Sequence, residues 1–105
     1  MYLNLNDIEA KALLPGLTVR FVHTDNMTLA YWHFDEGTEL PEHDHPHEQV
    51  VNIIEGKLEL TVDGVPRVIT PGDVVILPGG VKHSGKALTE ARVIDVFYPV
   101  RENYR

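Results

Sequence analysis

Apolar and polar residues alternate with a period of two along most of this chain. The clearest case is Lys57–Asp63, where Leu58, Leu60 and Val62 alternate with Lys57, Glu59, Thr61 and Asp63. Such alternation turns one face of a strand to a core and the other to water. Short runs of the same character, rich in β-branched and aromatic residues, cover Leu17–His23, Thr28–Phe34, Val50–Ile54, Lys57–Val62, Val65–Thr70, Val74–Leu77 and Ala91–Tyr98. Glu55-Gly56, Asp63-Gly64 and Pro71-Gly72-Asp73 punctuate them, and Asp-Gly tolerates the positive φ angles of a tight hairpin. At least seven strands without a long helix predict an all-β antiparallel sandwich or barrel. Ahead of them, Asn4–Leu14 reads as a short lead-in helix capped by Asn6 or Asp7 and stopped by Pro15-Gly16.

Composition narrows the partners. A chain of 105 residues suits one domain, its core at about residues 17–100. A net charge of −7 with scattered basic residues argues against nucleic acid or an anionic membrane as partner. No apolar run approaches the ~20 residues that span a bilayer. The N-terminal stretch lacks the basic start and apolar run of a signal peptide, so a cytoplasmic location is expected. The absence of cysteine excludes a disulfide framework and a thiolate metal site. Any metal must be bound through nitrogen and oxygen.

His43, His45 and His47 fall within five residues, and His83 follows much later in the chain. On a strand, residues two apart share a face, so His43, His45, His47 and Gln49 would project together ahead of the apolar Val51 and Ile53. Two imidazoles so spaced, completed by a ligand from a distant strand, form a facial set with positions left open for water or substrate. A solvated, histidine-rich loop is the competing reading, and the spacing rather than the count speaks against it. On Ala91–Tyr98, Asp95 shares a face with Ala91, Val93 and Phe97. A carboxylate among apolar side chains must be paired, bound or used.

Two longer patterns carry a family resemblance. Gly37, five residues, His43, one residue, His45, three residues, Gln49, six residues and Gly56 resemble the first motif of the cupin family, with Gln49 where glutamate is usual. Gly72, five residues, Pro78, one residue, Gly80, two residues and His83 resemble the second motif, with Ala87 in place of its frequent asparagine. The resemblance implies a single-domain cupin, a double-stranded β-helix or jelly-roll barrel. It also implies one divalent metal ion (Ni, Zn, Mn or Fe) on His43, His45, Gln49 and His83, with His47 at the rim. Pro46 can introduce a bulge, and a slip of one residue would offer Glu48 instead of Gln49. A neutral amide oxygen in place of a carboxylate leaves the metal a stronger Lewis acid.

The run His43-Asp44-His45-Pro46-His47-Glu48-Gln49 with Asp95-Val96-Phe97-Tyr98-Pro99-Val100-Arg101 further resembles the KdgF-type cupins. These open the ring of 4,5-unsaturated monouronates released from pectin or alginate. That resemblance implies Asp95 as a proton-transfer group, Arg101 as a clamp for the sugar carboxylate and Phe97 as pocket wall. A metal-dependent dioxygenase acting on a small organic substrate and a non-catalytic sugar-binding cupin are the alternatives. Cupins commonly form homodimers, which places an expected interface on the apolar stretch Leu17–Phe34. Tyr31, Trp32 and Phe34 then read as core or dimer contacts.

Overall fold

A computed structural model describes residues 1–105 and resolves the alternation into ten strands. These are β1 (Lys11–Leu14), β2 (Leu17–His23), β3 (Thr28–Phe34), β4 (Glu39–His43), β5 (Glu48–Glu55), β6 (Leu58–Val62), β7 (Val65–Ile69), β8 (Val74–Leu77), β9 (His83–Ala87) and β10 (Ala91–Tyr98). They form two antiparallel sheets, one of six strands in the order β1-β2-β3-β10-β5-β8 and one of four in the order β4-β9-β6-β7. The alternation is visible in the burial. On β3, Thr28, Ala30, Trp32 and Phe34 face inward, and on β10 Ala91, Val93, Asp95 and Phe97 do. Fifteen buried apolar side chains from both sheets make one core. The larger aliphatic and phenylalanine side chains each contribute about 1.5–3 kcal/mol by leaving water, and together the fifteen hold the sheets face to face.

The Asp63-Gly64 hairpin forms as its sequence predicts. Val62 pairs with Val65, and both turn residues have positive φ, 49° and 78°. The lead-in differs from its prediction. Only Leu5–Asp7 make a single 3-10 turn, capped by the Asn4 side chain on the Asn6 N–H at 2.9 Å. The end of the expected helix, Lys11–Leu14, is β1, because Pro15-Gly16 turns the chain back and Ala12 and Leu14 pair with Thr18 and Leu17. Strands β4 and β9 were also absent from the pattern. Their sequences, Glu-Leu-Pro-Glu-His and His-Ser-Gly-Lys-Ala, carry little β-propensity. Pairing makes them strands: Glu39 faces Lys86, Leu40 faces Gly85, and all five residues of β9 pair with β6.

Leu17, Val19, Ala30, Trp32 and Phe34 are buried within this chain's own core. The interface expected on Leu17–Phe34 therefore retains only outward residues such as Val22, Leu29 and Tyr31, which are half-buried. No helix is long and apolar enough to cross a membrane.

Candidate metal centre

At one end of the inter-sheet space, β4 and β9 pair so that His43 stands directly opposite His83, their ring centroids 4.2 Å apart. His45 lies in the loop between β4 and β5 and meets the His83 ring edge-on at 5.1 Å. One ring nitrogen from each of the three lies within 4.8 Å of the others. The expected single strand through all three early histidines is therefore replaced by a strand end, which carries His43, and a loop, which carries His45 and His47. Pro46 is the physical reason, since it cannot donate to a ladder and breaks the run. His47 falls out of the cluster, in contact with the His45 ring at 5.5 Å. Glu48 is exposed, whereas Gln49 is buried and points inward.

The protonation of the three rings follows from their partners. Nδ1 of His43 donates to the Pro41 carbonyl at 2.9 Å, Nδ1 of His83 to the Val81 carbonyl at 2.9 Å, and Nδ1 of His45 to the His47 carbonyl at 3.1 Å. Carbonyls only accept, so each Nδ1 holds the proton and each Nε2 presents a lone pair. This is the outer-shell arrangement that orients histidine ligands on a metal. Nε2 of His83 is buried with no partner at all. Nε2 of His45 faces the Gln49 amide oxygen at 3.0 Å, while that amide's NH₂ donates to Asp95 Oδ2 at 2.8 Å. Two acceptors at that separation are reconciled by a proton, by a cation, or by turning the amide over so that its NH₂ donates to Nε2 and the Asp95 carboxyl to its oxygen.

A proton is disfavoured there. Burial first, then the Arg101 charge, pushes His45 down to about 4 against the Gln49 hydrogen bond, with His83 and His43 adding to the depression. Burial is also the main cause that lowers His83. A histidine held low in the fold contributes stability above its unfolded value of 6.5 that is lost as pH falls through about 4. At neutral pH the ring is unprotonated, and no proton need leave it for a metal to bind. Three converging Nε2 lone pairs and one amide oxygen thus fit a divalent cation.

The cavity beside this cluster has a volume of about 510 Å³, and its lining includes Trp32, His43, Gln49, Asp95, Phe97 and Arg101. Strand register puts the last strand's residues there. Phe97 pairs with Gln49, and Asp95, two residues away on the same face, sits opposite the small Ala30. Asp95 is buried and raised to about 7, chiefly by desolvation, against hydrogen bonding from Trp32 and Gln49 and the Arg101 charge. Its Oδ1 and the Trp32 Nε1 are both buried without a hydrogen bond of normal geometry. Trp32 is therefore more than the core residue its sequence suggests: it borders the cavity and bears on the carboxyl.

Arg101 is 6% exposed and forms no salt bridge within the chain. Its guanidinium carbon lies 4.8 Å from the Phe97 ring centre and 4.4 Å from that of Tyr104. Its Nε donates to Asn103 Oδ1 at 3.3 Å, and a guanidinium so held, with no carboxylate partner in the chain, can accept an anion on its remaining donors. A more apolar groove of about 350 Å³ is lined by Leu60, Val65, Val74 and Ile76 among others, and holds none of these histidines.

Residues 30–97 match the family described as Cupin domain. The chain belongs to the cupin family. It is 28% identical over 83 residues to the pectin degradation protein KdgF of Dickeya dadantii, covering 77% of this chain and 76% of that protein. The solved structure of KdgF from a Halomonas species superposes with a TM-score of 0.94 at 26% identity, over 100% of this chain and 98% of that one. An RmlC-like cupin from Shewanella frigidimarina gives 0.90 at 32% identity, over 95% and 91%. Cupins commonly bind a metal, and the three-histidine cluster stands where this cupin would hold one.

A close backbone approach fixes the loop that carries His45. The Gly80 N–H donates to the His45 carbonyl at 2.8 Å, and a Cβ on Gly79 would stand 2.2 Å from the Pro46 carbonyl oxygen. Gly79→Ala must push that loop outward. Zinc affinity should fall roughly tenfold, as for loss of an outer-shell partner. Gly85→Ala, whose Cβ would meet only ordinary contacts at 3.7 Å or more, should leave it unchanged. Isothermal titration of the two variants checks this.

Proposed function

We propose that this cupin is a metal-dependent isomerase that opens the ring of 4,5-unsaturated monouronates, with one divalent ion held by His43, His45, Gln49 and His83. The observation that carries this reading is the shared cavity: Asp95 and Arg101 border the same space as His43 and Gln49. The name of the Dickeya relative, a pectin degradation protein, supports the same substrate class. The reaction needs no oxidant. The C1 hydroxyl yields its proton, the C1–O5 bond breaks to leave a C1 carbonyl, and the enol so formed at C5 takes a proton at C4 to become a ketone.

Each chain residue has a defined part. Arg101 binds the C6 carboxylate through its forked donors, and Phe97 and Tyr104 hold that guanidinium flat. Asp95, poised near neutrality, takes the hydroxyl proton and returns one to C4. Trp32 and Phe97 wall the cavity and exclude water from the enol. When bound, the ion supplies Lewis-acid polarisation of a substrate oxygen, and four neutral ligands leave its charge undiminished.

The loss of enol absorbance from unsaturated galacturonate tests the proposal. Metal-loaded protein should accelerate it, and chelated protein should not. Oxygen uptake in place of isomer formation would overturn it in favour of dioxygenase chemistry. Arg101→Lys keeps the charge but loses the planar fork. KM for the uronate should rise roughly tenfold or more, with a smaller change in kcat.

A further inference from the structure

The segment after β10 is tied to the two neighbouring strands β3 and β2 by a directional chain of hydrogen bonds. The Arg101 backbone N–H donates to Thr28 Oγ1 at 2.9 Å, and that hydroxyl lies 2.8 Å from His23 Nδ1. The other ring nitrogen of His23, Nε2, lies 3.2 Å from the Tyr104 carbonyl. The carbonyl only accepts, so Nε2 carries the proton and Nδ1 accepts from the Thr28 O–H. Every donor and acceptor in the chain is matched. Thr28 is fully buried, an unusual place for a hydroxyl with nothing to do.

Aromatic packing runs parallel to this chain. Phe21 stacks on His23 at 5.7 Å and on Tyr104 at 4.5 Å. Beyond it, Arg105 donates to the Thr24 carbonyl at 3.1 Å and pairs with Glu102 at 3.2 Å. The register makes the consequence direct. His23 pairs with Thr28, Thr28 with Phe97, and Phe97 with Gln49, one row across four strands of the sheet. The row ends at the histidine cluster, and the guanidinium lies against its Phe97 member.

We propose that Thr28 and His23 are positioning residues that clasp segment 101–105 over the sheet end and so set the Arg101 guanidinium between Phe97 and Tyr104, ready for a carboxylate. The ligand class, a small monocarboxylate, rests on the uronate reading above; the clasp itself does not. Neither residue touches the cavity's reacting end. Their effect is on where one cation stands.

The test uses the full chain with Thr28→Val, Thr28→Ser and His23→Phe. Thr28→Val keeps the shape and removes the hydroxyl; His23→Phe keeps the stack on Phe21 and removes both hydrogen bonds. Arg101 Nε–H, which donates to Asn103 Oδ1 at 3.3 Å beside the two rings, gives a ¹⁵N–¹H resonance that reports the guanidinium without any turnover. Thr28→Val and His23→Phe should move it to the free-arginine position, and Thr28→Ser should keep it in place. D-galacturonate binding, read by the sole tryptophan, Trp32, should weaken about tenfold in the first two variants. Zinc affinity should stay within about twofold, as for distant, independent sites. An unmoved Arg101 resonance in both variants overturns the clasp, as does a joint collapse of that resonance and zinc affinity. A moved resonance in protein that binds galacturonate no better than galactose upholds the clasp and sinks the uronate reading instead.

Discussion

His83→Ala should lose the metal and, with it, all turnover, while keeping its fold. Losing an outer-shell partner of a histidine ligand costs 10–100-fold in metal affinity, so losing the ligand itself should cost more than about 100-fold. The fold should survive because the ring makes no bond through Nε2, which is buried without a partner, and only one through Nδ1, to the Val81 carbonyl. A ligand that binds only the folded state raises stability by RT ln(1 + [L]/Kd). Melting curves with and without zinc or nickel therefore check the prediction: a clear metal-dependent rise for the wild type, none for the variant. A variant that keeps the rise would remove His83 from the ligand set.

Asp95→Asn separates chemistry from metal binding. The amide matches the carboxyl in shape and still accepts from the Gln49 NH₂, so metal affinity should hold. A general acid or base contributes 10²–10⁴-fold, and kcat should drop by at least about 100-fold. Stability should move the other way. Burial raises Asp95 from 3.8 to about 7 in the folded protein. Its contribution is therefore fully present below about 4, is lost as pH rises through about 7, and leaves a buried charge above that. Metal-free Asp95→Asn carries no such charge. Its melting temperature should match the wild type's near pH 4 and exceed it by about 5 °C or more at pH 8. Equal melting temperatures at pH 8 would show that Asp95 is solvated.

How much of this was legible in the sequence depends on where the information resides. Alternation revealed the strands that bury one face, such as β3, β6 and β10, because burial itself writes that pattern. Strands β4 and β9 bury few apolar side chains and exist through backbone pairing, which leaves no compositional trace. The same holds at the site. His43, His45 and His83 stood out by spacing, and the inward turn of Gln49 rather than Glu48 settles the register that Pro46 had left open. The geometry behind the spacing was misread, since the histidines come from a strand end and a loop and not from one extended face. Trp32, Thr28, His23 and Tyr104 were invisible as site residues. Trp32, Thr28 and His23 reach Asp95 or Arg101 only because β2, β3 and β10 lie side by side, an adjacency that spans most of the chain, and Tyr104 meets Arg101 through the 3-10 turn that follows it. A hint did exist in Thr28, a hydroxyl on the inward phase of a strand that otherwise turns Ala30, Trp32 and Phe34 to the core.

In the proposed reaction one cavity combines a metal-binding histidine cluster, a proton-transfer carboxyl and a carboxylate clamp to turn a cyclic enol ether into a linear ketone. The most direct measurement follows unsaturated galacturonate by NMR in deuterated water with metal-loaded protein. The C4 vinyl signal should disappear as the open-chain keto acid appears in equal amount. One deuteron should be delivered to a single face of C4, because one carboxyl stands on one side of the cavity. A vinyl signal that decays no faster than without protein, or a label spread over both faces of C4 from the start, would contradict it.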